Sequence, residues 1–156
     1  ESPARLAYMC DHADETLISP FWYKEYCVPF YQKACQVLKA HGKIVSTHLD
    51  GNFKGLFPML PDTHFNVLDG CTPAPMFNYE IEELADAMPE GMFAFIGVPS
   101  TLFCQNLPMS EILPYADRIL KAFAGRGIIN VGDILSPDGD IEQVIELGKY
   151  VQSTYK

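Results

Sequence analysis

Apolar and polar positions along the chain follow two regimes. Short runs of β type occupy 6–10, 43–48, 65–68, 92–98 and 127–131. Longer stretches of helical period lie between them. Phe30, Ala34, Val37 and Leu38 recur at i, i+4, i+7 and i+8. Ile112, Ala116, Ile119 and Leu120 repeat that spacing, and Phe123 extends the stripe. Ile141, Val144, Ile145 and Val151 predict a last helix, with Asp140 and Gln143 spaced as a capping pair at its start. Gly42 and Gly125 follow two helical stretches, where a left-handed C-terminal cap favours glycine. Pro29 falls inside a stretch that opens near Pro20, and predicts a kink or a division into a lead-in and a main helix from Phe30. No repeat, low-complexity stretch or linker divides the chain.

Five strand–helix units in succession predict an α/β fold with parallel strands and helical crossovers. Two architectures fit: a five-stranded doubly wound parallel sheet, or five βα units of a (β/α)₈ barrel of the TIM type, which takes about 250 residues when whole. The doubly wound form predicts a Gly- or Ser/Thr-rich phosphate loop after the first strand. Here Asp11, His12, Ala13, Asp14 and Glu15 stand at that place, and their charge repels phosphate. Periodicity does not separate the two.

Composition narrows the function classes. With 156 residues, 48% of them hydrophobic, the chain can bury the core of a single domain, and disorder is disfavoured. A net charge of −9 with only 11 Lys and Arg argues against nucleic acid as a partner. No apolar run is long enough to cross a bilayer as a helix. Five cysteines without a C-x-x-C pair predict reduced thiols and a cytoplasmic protein. Glu1 in place of Met suggests a processed or trimmed product.

Ligands of parallel α/β folds bind at the C-terminal ends of the strands, so the residues leaving each run carry the functional argument. The first exit offers Asp11, His12 and Asp14; the second His48, Asp50 and Asn52; the third Asp69, Cys71 and Thr72; the fourth Ser100 and Thr101; the fifth Asp133. In an extended segment His48 and Asp50 point to the same side, where imidazole and carboxylate can hold Zn²⁺. Asp133, Asp11 or Cys71 then complete the set. Two other readings stand beside this one. Asp50 caps a helix opening at Asn52 while His48 makes a buried hydrogen bond, or His48 transfers protons near neutral pH. Cys10, Cys27, Cys35 and Cys104 read as core or near-core residues. The cluster Phe21, Trp22, Tyr23 and Tyr26 reads as a helix packed on the sheet, or as cover for one mouth of a pocket.

The words Leu17-Ile18-Ser19-Pro20, Pro29-Phe30, Gly42 through Asn52 with its H-x-D-G-N core, Asp69 through Pro75, and Ile128 through Pro137 occur in this order. Together they resemble the C-terminal part of the uroporphyrinogen decarboxylase superfamily, on the branch near the cobalamin-dependent methyltransferases. The resemblance implies a (β/α)₈ barrel of which this chain supplies the last five units. Missing N-terminal sequence or a partner subunit, including a second copy, would then cover the open side. It also implies an enzyme: metal-assisted methyl transfer to or from a corrinoid protein, with His48 and Asp50 catalytic. His48, Asp50 and Asp133 would bind a divalent metal, zinc foremost, while Asp11, Asn52, Asp69, Cys71 and Ser100 would line the substrate site. Thiol-directed methyltransferases of that superfamily hold zinc by H-x-C and a later Cys; Asp50 and Asp133 stand at those places here, a harder set suited to an ether or hydroxyl oxygen. The decarboxylases carry a G-H-G-type word after the last strand where this chain has Gly132-Asp133-Ile134. Tetrapyrrole decarboxylation is thus the alternative activity, and a non-catalytic assembly subunit the alternative to an enzyme.

Overall fold

The computed structural model describes residues 2–10, 12–104 and 107–155. Its five strands are β1 (Leu6–Met9), β2 (Ile44–His48), β3 (Val67–Cys71), β4 (Phe93–Pro99) and β5 (Gly127–Gly132). They form one sheet in which every neighbouring pair is parallel and the spatial order is β1-β2-β3-β4-β5. The fold is α/β. The order follows the chain without the reversal that creates the ligand crevice of a doubly wound sheet.

Helices make the crossovers. Between β1 and β2, α1 (Pro20–Trp22) continues through a wider-wound stretch, Tyr23–Cys27, into α2 (Val28–Ala40). Pro29 sits in the first turn of α2, directly after the wider-wound stretch; the helical run changes winding there without being divided, and the main helix opens at Val28 rather than at Phe30. A 3₁₀ stretch, Lys54–Met59, and α3 (Leu60–Thr63) join β2 to β3, and α4 (Ile81–Ala87) joins β3 to β4. Then come α5 (Thr101–Cys104), α6 (Met109–Phe123) and, after β5, α7 (Ile141–Thr154). Asp140 caps α7 through the amides of Glu142 and Gln143, but the Gln143 side chain donates to the Leu107 carbonyl instead of closing a capping box. A capping box forms at α4, between Glu80 and Glu83.

The core lies between the helices and one face of the sheet. Val45, Leu68, Ala94, Ile96 and Val98 of the strands pack in one cluster with Leu56, Leu60, Leu84, Ile112, Ala116, Ile119 and Phe123. Each of the larger side chains, Ala94 and Ala116 aside, contributes about 1.5–3 kcal/mol of burial. The other face is open. Leu6, Tyr8, Ile44, Phe93 and Ile128 are exposed on it, with Val67, Asp69 and Phe95 half-buried among them.

Several positions depart from the sequence reading. The buried stripe of α2 is Val28, Tyr31 and Cys35, whereas Phe30 and Val37 face out, because Tyr31 turns the helix toward Phe65 and Tyr23. On α7 only Leu147 is buried, and Ile141 and Ile145 are exposed, since the helix packs against α6 and α5 on one side. Of the aromatic cluster only Tyr23 is buried; Phe21, Trp22 and Tyr26 stand in solvent. Cys10 is exposed rather than near the core. Among the described residues no helix is long and apolar enough to cross a membrane.

Candidate functional site

Strand register carries three polar side chains to the upper end of the open face. Tyr8 lies opposite Ser46, and His48 lies opposite Asp69, so β1, β2 and β3 each present one group there. The Tyr8 hydroxyl is 2.6 Å from Oδ2 of Asp69 and 3.0 Å from Nδ1 of His48; that nitrogen is 3.3 Å from the same carboxylate oxygen. Burial and the hydrogen bond to Asp69 push the Tyr8 phenol well above its ordinary pKa.

A bulge in β3 sets this arrangement. Leu68 pairs with Ala94 and Cys71 with Ile96, so three residues of β3 advance against two of β4. Simple alternation would place Cys71 beside Asp69 on the open face. The extra residue turns Cys71 to the helix side instead, where it is fully buried and burial raises its thiol far above the usual range. Cys71 therefore does not line the site, contrary to expectation. Gly70 supplies the bulge with φ of 78°, and a Cβ there would stand 2.5 Å from Cε1 of His48. Glycine is needed twice over, for the turn and for the imidazole lying against it.

Beyond His48 the chain leaves β2 through Leu49, which is buried, and Asp50, whose side chain is 18% exposed. The ligand atoms of His12, His48 and Asp50 lie within 4.8 Å of one another, close enough to hold one metal ion. Nδ1 of His12 is 4.0 Å from Oδ2 of Asp50. The other Asp50 oxygen, Oδ1, is buried and has no hydrogen-bond partner among the described residues. Desolvation raises the Asp50 pKa, the Asp133 charge adds to it, and the two histidines oppose both.

Asp14 fixes the loops that bring His12 and Asp50 together. Its Oδ1 accepts from the amide and hydroxyl of Thr16 at 2.7 and 2.6 Å, and its Oδ2 accepts from the Asn52 amide at 3.0 Å. These bonds, the Thr16 hydroxyl first, hold its carboxyl below the usual range although burial works against them. The Glu15 amide donates to the Asn52 carbonyl at 2.7 Å, doubling the tie.

No protein-family model and no curated protein matches this chain.

The residues expected at the site thus divide. His48, Asp50 and Asp69 gather on one rim. Asp133 is near enough for its charge to raise both Asp50 and Tyr8, but His12, not Asp133, stands with His48 and Asp50. Asn52 takes part through its backbone, in the loop tie. Ser100 is buried, its amide bonded to the Gly132 carbonyl and its hydroxyl to Sδ of Met76. Asp11 lies outside the described residues. Asp50 does not cap the stretch that follows: no side chain caps Lys54–Met59. Tyr8 went unread in the sequence, and His12 was placed at the first strand exit without a ligand role. Tyr8 looks like one more apolar strand residue, and only its place two before the strand exit hints at a hydroxyl reaching the rim. His12 stood in an exit loop already noted as polar, and its pairing with β2 depends on Asp14.

Proposed function

We propose that this chain is the C-terminal portion of a uroporphyrinogen decarboxylase-like barrel whose rim binds a divalent metal, and that it serves methyl transfer to or from a protein-bound corrinoid. The barrel reading is supported by strand order. Right-handed crossovers between successive parallel strands in chain order put every helix on one face. The opposite face, apolar below with Tyr8, His48 and Asp69 above, has the character of a barrel interior seen from the missing side.

The observation that carries the functional reading is the convergence of His12, His48 and Asp50. Two imidazoles and a carboxylate are a donor set that zinc accepts, and three protein ligands leave a position for substrate. The buried Oδ1 of Asp50, unpartnered among the described residues, fits a cation as a partner. With Cys71 turned into the core, the set contains no thiolate, which favours an oxygen-bearing substrate over a thiol. The metal, when bound, would polarise the ether or hydroxyl oxygen of a small methyl donor or acceptor as a Lewis acid. His12, His48 and Asp50 would hold it, Asp14 would keep their two loops together, and Asp133 would add negative charge at the rim.

The carboxylates Asp50, Asp69 and Asp133 disfavour an acidic tetrapyrrole at the same place. Metal analysis of the purified chain is expected to find about one equivalent of zinc or a related divalent ion, lost in His48→Ala. Equal metal content in the variant would overturn the assignment, and a spectral shift on adding uroporphyrin to metal-free protein would favour decarboxylation.

A further inference from the structure

The protons around His48 can be counted. Tyr8 has one hydroxyl proton and two oxygen or nitrogen neighbours, Oδ2 of Asp69 at 2.6 Å and Nδ1 of His48 at 3.0 Å. A carboxylate only accepts, and O–H···O⁻ bonds fall at about 2.5–2.7 Å. The phenol therefore donates its proton in a hydrogen bond to Asp69. Nδ1 now faces the phenol oxygen and, at 3.3 Å, the same carboxylate oxygen. Both offer lone pairs alone, so Nδ1 has to carry a proton. In the opposite arrangement the phenol would give its proton to Nδ1, leaving two oxygen lone-pair sets in contact at 2.6 Å.

We propose that Asp69, which also takes the Tyr8 phenol proton in a hydrogen bond, is a positioning residue that holds His48 in its Nδ1–H tautomer, so that Nε2 is the one ring nitrogen with a lone pair to give a ligand. The partners come from β1 and β3, the strands on either side of β2, so the ring is gripped from both flanks. Gly70 leaves the room in which the ring lies. The tautomer rests on these contacts alone; its use rests on the metal reading above. A carboxylate on the distal imidazole nitrogen orients a metal-bound histidine and raises its basicity.

Nitrogen-15 NMR of the imidazole rings in the metal-free chain reads the tautomer directly, at about pH 8.5, some two units above the ordinary imidazole value. His48 is expected as Nδ1–H. Tyr8→Phe should keep that form, because Asp69 still accepts. Asp69→Ala should reverse it, because the phenol proton is then free for Nδ1. Zinc added to the same samples should bind about 10- to 100-fold more weakly in Asp69→Ala. An Nε2–H ring in the unaltered protein, or an Nδ1–H ring that survives Asp69→Ala, overturns the proposal. A ring that follows the expected pattern but ignores zinc upholds the tautomer and overturns the metal reading alone.

Discussion

Asp50 and Asp14 show how one residue type takes opposite roles a few residues from the same rim. Asp14 is satisfied at both oxygens and held low; Asp50 has a buried oxygen with no partner among the described residues and is raised. A carboxyl raised on folding favours the folded state while protonated. Its contribution is intact below the ordinary carboxylate pKa and is lost as pH rises through the raised folded value. At neutral pH the ionised Asp50 therefore costs stability, a cost that a bound cation would offset. Asp50→Asn is expected to stabilise the metal-free protein at pH 7, on the order of 1 kcal/mol, with the gain vanishing near pH 4. The same variant should lose the rise in melting temperature that zinc gives the unaltered protein. Thermal unfolding at the two pH values, with and without zinc, measures both effects; an unchanged or lower stability at pH 7 would contradict the assigned environment of Asp50.

At the scale of elements, period-2 runs found all five strands, and glycines and Pro29 marked where helices end or change winding. What alternation could not show is the β3 bulge. The strand runs Val67–Cys71 where 65–68 was expected, and the bulge sends Cys71 inward, because one extra residue reverses every later side chain. Phe30 and Val37 misled for a related reason: helical spacing identifies an apolar stripe, and packing partners decide which stripe is buried. Gly70→Ala tests the bulge. Its positive φ and its contact with the His48 ring make about 1–3 kcal/mol of destabilisation the expected result in denaturant unfolding, with weaker zinc binding alongside. A fully stable variant with unaltered zinc affinity would mean that β3 does not position His48.

Across the whole molecule, the site draws on β1, β2 and β3 and on a loop tie between residues 38 positions apart. His48, Asp50 and Asp69 were legible because strand exits are readable one at a time. Tyr8 and His12 were not, because their roles arise from register and from Asp14, which no single segment contains. The same scale explains the open sheet face, whose apolar floor would lie inside a completed barrel in the proposed reading. Zinc K-edge X-ray absorption of the metal-loaded chain reads the proposed ligand set itself. The account predicts a light-atom shell with the scattering signature of two imidazoles, from His12 and His48, and no sulfur. A zinc–sulfur shell near about 2.3 Å, or a shell without imidazole, would contradict it.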